Sequence, residues 1–399
     1  MLEYIFWTGI FIVFYAYLGY GLVLYLWLKI RRFLKRSSPA PLSSFDVSQW
    51  PQVSFVVCAY NEADWITQKI ANSVALDYPR AHIRLVFVTD GSNDATPELV
   101  RNYPYPPDVQ WELLHEPQRR GKIAAFQRAM RHIQTPFVVS TDANTLINPR
   151  AVQNMVRHFI QDARTSAVAG EKRISMGERD NASSAGEGIY WRYESTLKRW
   201  DSELWSVVGA AGELFAFRRD AYEDVPNDTI VEDFYMTMRM AQKGGRVQYE
   251  PNAYAVETSS ASVGEELKRK IRIAAGAWQA VFRLAPLLNI FRYGTLSFQY
   301  ISHRVLRWTL APALLPAIFV TNALLIQQNK PLYGWLMVAQ CLFYGAAFVG
   351  YLLEKRHLKV KALFVPYYFC VMNYAQYAGF WRFLRGRQSV LWERAQRAG

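Results

Sequence analysis

PFVVSTDAN, residues 136–144, is the stretch from which the fold is read, because a short apolar run in it ends abruptly on an acid. Phe137, Val138 and Val139 read as a strand buried on both faces, since β-branched and aromatic residues stand side by side without polar alternation. Asp142 sits where that strand stops. In an open α/β sheet, ligands bind outside the carboxyl ends of the strands. A carboxylate placed there is a hard oxygen ligand, suited to Mg²⁺ or Mn²⁺ and, through the metal, to a phosphate. Taken alone, an acid after a strand is more often a turn former or a helix cap. Its meaning depends on the residues the rest of the chain places beside it.

Outward from this strand, VSFVVCAY (53–60), IRLVFVTD (83–90) and VQWELLHE (109–116) read as three more strands. Residues 62–75, a short segment reaching Arg101, and residues 122–132 read as the helices between them. Alternation at this spacing is that of βαβ units, so a mostly parallel sheet is expected. A helix at 150–161, a strand around 166–174 and a polar stretch to Asp201 follow. VVGAAGELFAFRRD (207–220) reads as a Gly-rich turn, and a further helix opens with VEDFYM (231–236). The α/β domain is bounded at 52–263.

Half of the 399 residues are hydrophobic, and they concentrate at the two ends of the chain. Residues 4–28 carry no charge, and about 20 apolar residues suffice to cross a bilayer. The stretch is too long for a signal-peptide core and is preceded by Glu3 rather than a basic cluster. Lys29, Arg31, Arg32, Lys35 and Arg36 follow it, which puts the amino terminus outside and the next segment in the cytoplasm. Residues 1–36 are thus an anchor and 37–51 a Ser/Pro linker. Residues 264–307 interleave basic, aromatic and aliphatic side chains, the pattern of interfacial amphipathic helices. The membrane region 308–399 contains spans at about 308–326 and 335–352, after which residues 354–359 return the chain inside. Residues 362–384 are long enough to span, but Pro366, Asn373, Gln376 and four tyrosines make them polar, so they read as interfacial or as a further span. The net charge of +13 tracks these membrane boundaries, which excludes a nucleic-acid partner. Cys58, Cys341 and Cys370 form no disulfide framework or zinc spacing, as expected at a reducing cytosolic face. The sequon at Asn181 falls on that face and is discounted.

Asp90, Asp142 and Asp233 follow strands or precede helices, and Glu62 after the first strand is a fourth acid near the same edge. Parallel strands carry their loops to one edge, where Asp90 and Asp142 can converge. Carboxylates beside a basic residue such as Lys122 are what a metal–diphosphate site requires, although an exposed lysine opening a helix reads equally well. Gly91 and Gly121 allow close backbone approach to a ligand.

Over residues 52–279 the chain resembles the membrane-bound family 2 glycosyltransferases, the group that includes cellulose, chitin and hyaluronan synthases. AYNE (59–62) resembles the opening nucleotide-binding motif, with Ala59, Tyr60 and Glu62 at the nucleotide-sugar. TDGSNDAT (89–96) resembles the acidic motif in which Asp90 contacts the base end of the nucleotide. GKIAAFQRA (121–129) is similar to the Gly-Lys element near the diphosphate, and Asp142-Ala143-Asn144 stands at the metal-binding Asp-x-Asp position. VVGAAGELFAFRR (207–219) resembles the acceptor-side loop containing Gly212, and VED (231–233) the motif with the catalytic base. Six motifs stand in the family's order. Two positions depart from it. Asn144 replaces an acid, keeping an oxygen but losing a charge. The Gln-x-x-Arg-Trp motif appears as Arg269-Lys270-Ile271-Arg272-Ile273, so Arg272 is kept while Ile273 offers no aromatic face to a sugar.

The resemblance implies a GT-A (nucleotide-diphospho-sugar transferase) α/β domain in the cytosol, plus transmembrane and interfacial helices in the cytoplasmic membrane. It implies inverting transfer of a hexose or N-acetylhexosamine from a nucleotide-diphosphate donor, UDP-linked in preference to GDP-linked, to a lipid-linked or glycan acceptor for the cell envelope. Asp233 would be the general base, Asp142 and Asn144 would hold Mg²⁺ or Mn²⁺, and Lys122, Glu232, Arg269 and Arg272 would serve the diphosphate and acceptor. Few membrane passages and Ile273 favour one or a few additions over processive synthesis. A membrane scaffold with a degenerate domain is disfavoured by the presence of Asp90, Asp142 and Asp233. The topology has a direct test. Reporter fusions after Arg36 and after Lys359 should read as cytoplasmic and one at residues 327–330 as external. An external signal after Arg36 would separate the domain from cytosolic sugar nucleotides.

Overall fold

The computed structural model describes residues 1–34, 50–175, 182–258, 263–328, 330–356, 358 and 360–386. The expected linker over 37–49, Lys35, Arg36, the sequon at Asn181, His357, Lys359 and the basic residues beyond 386 lie outside the described residues. The chain divides into two units, one built from Arg31–Ser175 with Asp201–Ser260, the other from Met1–Ile30, Met176–Trp200 and Ala261–Gln388.

The first unit is built on eight strands: β1 (Val53–Ala59), β2 (Ile83–Asp90), β3 (Gln110–Glu116), β4 (Phe137–Asp142), β5 (Thr145–Ile147), β6 (Thr165–Ser175), β7 (Leu214–Arg218) and β8 (Arg246–Thr258). Their order in the sheet is β3-β2-β1-β4-β7-β6-β8-β5. β1 is buried along its whole length, as its run of Val, Phe and Cys requires. It pairs in parallel with β2 on one side and β4 on the other, and β2 pairs in parallel with β3. The sheet is thus an α/β sheet, mostly parallel, with β7 antiparallel to β4 and β6, and β5 antiparallel to β8. The chain winds outward from β1 through β3, then crosses back to β4. The crevice at that reversal lies outside the carboxyl ends of β1 and β4, where open α/β sheets bind ligands.

Helix Ala63–Val74 buries Ile66 and Ile70 against Phe55, Phe87 and Val139 of the sheet. Helix Lys122–His132 buries Ile123, Ala125, Phe126, Ala129 and Met130 at helical spacing. Four elements differ from the reading above, one of them the short β5, which was not read. The polar stretch before Asp201 is helical over Ala182–Leu204. The Gly-rich turn closes into β7 from Leu214 onward. β8 was not read at all, because Pro251 and Asn252 interrupt its pattern. There the register jumps from Gly170 opposite Glu250 to Glu171 opposite Tyr254, a bulge that absorbs the proline.

Leu2–Leu34, which belongs to the second unit as far as Ile30, runs as 33 helical residues with a π-helical turn at Tyr15–Gly19. It and Pro331–Lys355 are long and apolar enough to cross a membrane. A third candidate is the pair Thr295–Trp308 and Leu310–Ile326, bent by 51°. The amphipathic stretch folds as helix Val263–Arg283, short turns at Ala285–Leu288 and Ile290–Tyr293, and most of the helical run Thr295–Trp308, and residues 362–384 lie in helix Lys361–Leu384. Phe6, Ile318, Leu325 and Tyr333 form an apolar cluster of this unit.

Candidate active site

The site begins with Asp90 at the end of β2. Its Oδ2 accepts the main-chain N–H of Arg120 at 2.9 Å and of Gly121 at 2.6 Å. Gly121 has φ +97, a left-handed conformation that glycine adopts without cost, and it caps helix Lys122–His132. Fixing that turn fixes Lys122, the first helical residue. Its Nζ lies 2.9 Å from Asp142 Oδ1 at the end of β4 and 3.0 Å from Glu232 Oε1. Burial works against the Lys122 ammonium, but the carboxylates of Asp142, Glu232 and Asp233 outweigh it and hold the amine protonated well above its usual range.

Glu232 and Asp233 open helix Glu232–Gln242, where acids are favoured by the positive end of the helix dipole. Asp233 Oδ1 accepts the N–H of Phe234 at 2.8 Å. A Cβ on Gly212 would stand 3.1 Å from Asp233 Oδ2 and 3.2 Å from Lys122 Nζ, so the glycine lets its loop lie against both groups. Burial, and next the charge of Glu232, push the Asp233 carboxyl up to about 7, while Lys122 opposes them. The Lys122 ammonium faces the carboxylates of Asp142, Glu232 and Asp233. The oxygen donors of Asp142 and Asn144 are of the kind a hard cation takes. Among the described residues, no group of three or more His, Cys, Asp or Glu forms a closed metal cage.

On the β1 side, Ala59 is a buried strand end paired with Thr89, and the Arg119 guanidinium lies 3.8 Å over the Tyr60 ring. Asn61 has φ +52 and exchanges hydrogen bonds with Asn93, its Oδ1 accepting from Asn93 N at 3.0 Å and its Nδ2 donating to Asn93 Oδ1 at 2.7 Å. Glu62 is buried and its N–H donates to Thr96 Oγ1 at 2.9 Å. Asp90 Oδ1 is buried and accepts no hydrogen bond among the described residues, with the Arg128 guanidinium 3.8 Å away. Asn61, Asn93, Arg119 and Arg128 were not singled out in the sequence. The signal for Asn61 was its residue type, since asparagine tolerates the left-handed region.

The structure therefore brings Lys122, Asp142, Gly212, Glu232 and Asp233 together, with Asp90 behind Lys122. Arg269 and Arg272 lie on helix Val263–Arg283 of the second unit, where Arg269 Nη1 is 3.9 Å from Glu266. A buried group unforeseen in the sequence, Lys172 with Glu213 and Glu257, stands beside the Gly212 loop.

Residues 54–226 match the family model described as glycosyl transferase family 2. The chain is 28% identical over 244 residues to a poly-beta-1,6-N-acetyl-D-glucosamine synthase of Staphylococcus aureus, an alignment covering 60% of this chain and 57% of that protein. The synthase of the same description from Staphylococcus epidermidis is 25% identical over 237 residues, covering 58% and 56%. The chain thus spans little more than half the length of these curated relatives. Among solved structures, the mannosyltransferase PcManGT from Pyrobaculum calidifontis, in complex with GDP-Man and Mn²⁺, matches with a TM-score of 0.72 at 25% identity, covering 97% of this chain and 100% of that one.

The raised Asp233 predicts a pH dependence of stability. At pH below its unfolded value the carboxyl is protonated in both states and costs nothing. As pH rises towards about 7 the unfolded chain gives up the proton before the folded one, so folding loses stability, and the full cost is present above that. Asp233→Asn removes the cost. Its melting temperature should exceed the unsubstituted protein's at pH 8, and the gain should shrink as the pH approaches 4. An equal difference at both pH values would contradict the burial of a raised carboxyl.

Proposed function

On a chain whose residues 54–226 form a glycosyl transferase family 2 domain, we propose inverting transfer of a sugar from a nucleotide-diphosphate donor to a membrane-associated acceptor. The observation that carries this is Asp233, raised to about 7 and lying beside Gly212 and Lys122. A base poised near neutral pH is matched to taking a proton from an acceptor hydroxyl as that oxygen attacks the anomeric carbon. Lys122 lies between Asp142 and Glu232, where its ammonium would offset charge gathering on a departing diphosphate. Asp142 and Asn144 would hold Mg²⁺ or Mn²⁺, which as a Lewis acid supplies further charge stabilisation to the same phosphates. Asp90 Oδ1, buried and accepting no hydrogen bond, is suited to a nucleobase N–H, and Tyr60 under Arg119 to a base face. Glu62 and Ala59 shape that end through the main chain. Gly212 would serve the acceptor side.

The donor is a nucleotide-diphospho-sugar. The expected preference for UDP finds no support in the full-length structural match, a mannosyltransferase holding GDP-Man. Ile273, which offers no aromatic face to a sugar, favours transfer of one or a few sugars to a lipid-linked or glycan acceptor. The second reading, processive synthesis of a cell-envelope polysaccharide, is favoured by the N-acetylglucosamine polymer synthases. Both place a multi-pass protein in the cytoplasmic membrane with its transferase domain in the cytosol.

The experiment is a sugar-nucleotide panel on purified full-length protein with lipid acceptors and mass analysis of products. Asp233→Asn should bind the accepted donor as before while transfer falls by about 10²–10⁴-fold, the usual share of a general base. Near-normal turnover in that variant would remove Asp233 from the mechanism.

A further inference from the structure

Lys69 is a fully buried lysine that the proposed reaction does not use. It sits inside helix Ala63–Val74, and lysine is among the residues least often buried without partners. Its Nζ donates to Thr141 Oγ1 at 2.9 Å and to the Thr145 carbonyl at 2.7 Å. Burial pushes this amine down to about 7, so holding it inside costs free energy that its hydrogen bonds must offset.

A count of protons shows what those bonds join. The Thr141 hydroxyl has one proton, and Glu213 O lies 2.8 Å away to accept it. Thr145 Oγ1, 3.0 Å from Thr141 Oγ1, has its own acceptor in the Asp142 carbonyl at 2.9 Å. The amine of Lys69 therefore anchors the turn at residues 142–144 from beneath through Thr145. Through Thr141 it reaches the main chain of Glu213, next to Gly212. The Glu213 side chain is fastened separately, to Lys172 at 2.6 Å.

We propose that Lys69 and Thr141 are positioning residues that fasten the donor-side turn carrying Asp142 and Asn144 to the acceptor-side loop carrying Gly212. The inference rests on the transferase reading above. With the link in place, the loop that lies against Asp233 and Lys122 keeps a fixed offset from the end of β4. Without it the two sides are joined there only by the strand pairing of Thr141 with Leu214, which leaves the loop before Leu214 less closely held. Displacements of about 1 Å in such geometry can cost on the order of 10²-fold in rate.

Thr141→Val has nearly the same shape but no hydroxyl, and Thr141→Ser keeps the hydroxyl. The full-length protein is assayed for transfer, for affinity towards the donor's nucleoside diphosphate with Mn²⁺, and for melting temperature. Thr141→Val should lose about 10- to 100-fold in kcat with nucleoside-diphosphate affinity little changed, and Thr141→Ser should recover most of the rate. Lys69→Met leaves the hydroxyl in place and reads the link from its other end, whether or not Thr141→Val folds. It should lose kcat in the same direction. Wild-type kcat in folded Thr141→Val or Lys69→Met would overturn the inference. So would equal losses in Thr141→Val and Thr141→Ser. Absence of transfer by the unsubstituted protein with every donor would instead count against the transferase reading itself.

Discussion

The ammonium of Lys122 between Asp142 and Glu232 is the interaction on which the rest of the site depends. Three acids crowded together in a half-buried crevice would repel one another, and one cation among them makes the arrangement tenable. That cation must be held accurately. Asp90 does this indirectly, by gathering the N–H groups of Arg120 and Gly121 and so setting where helix Lys122–His132 begins. Burial, and next the charge of Glu232, raise the Asp233 carboxyl, while Asp142 gives the crevice an oxygen donor of the kind a divalent cation takes. One constraint therefore serves both halves of the proposed chemistry.

Sheet topology explains why these groups come from distant parts of the chain. β1, β2 and β4 are parallel neighbours, so Asn61, Asp90 and Asp142 leave the sheet at one edge. β7 runs antiparallel to β4 and begins at Leu214, so Gly212 enters from the same edge. The helix carrying Glu232 and Asp233 follows and brings both acids to Lys122. In the second unit the apolar helices Leu2–Leu34 and Pro331–Lys355 supply the membrane character expected from the two ends of the sequence.

How much of this was legible beforehand follows from the physics of each element. β1, β2 and β4 were readable because unbroken β-branched runs are uncommon outside buried strands, and Lys122–His132 because its apolar spacing is helical. Asp90, Asp142 and Asp233 were readable through the order of motifs, since an acid at a strand end or helix start is by itself more often a turn former or a cap. β5 and β8 were not, since they exist through pairing between residues over a hundred positions apart, as Thr145 with Glu257, and β8 carries a proline within a bulge. Lys69, Thr141 and Lys172 escaped for a related reason. A lysine or threonine in an amphipathic pattern looks like a surface residue until the fold shows it buried. The helix before Asp201 was hidden by its polar composition.

The claim most worth testing is that Asp233 takes the acceptor's proton. The measurement is the pH dependence of kcat/KM for the donor, which reports the ionisation of the free enzyme. Activity should rise with pH along a single acid limb centred near 7, where burial and Glu232 hold the Asp233 carboxyl. In Glu232→Gln the neighbouring negative charge is gone and Lys122 acts on Asp233 less opposed, so the limb should move to lower pH. A flat profile, or a limb unmoved by that substitution, would contradict the account.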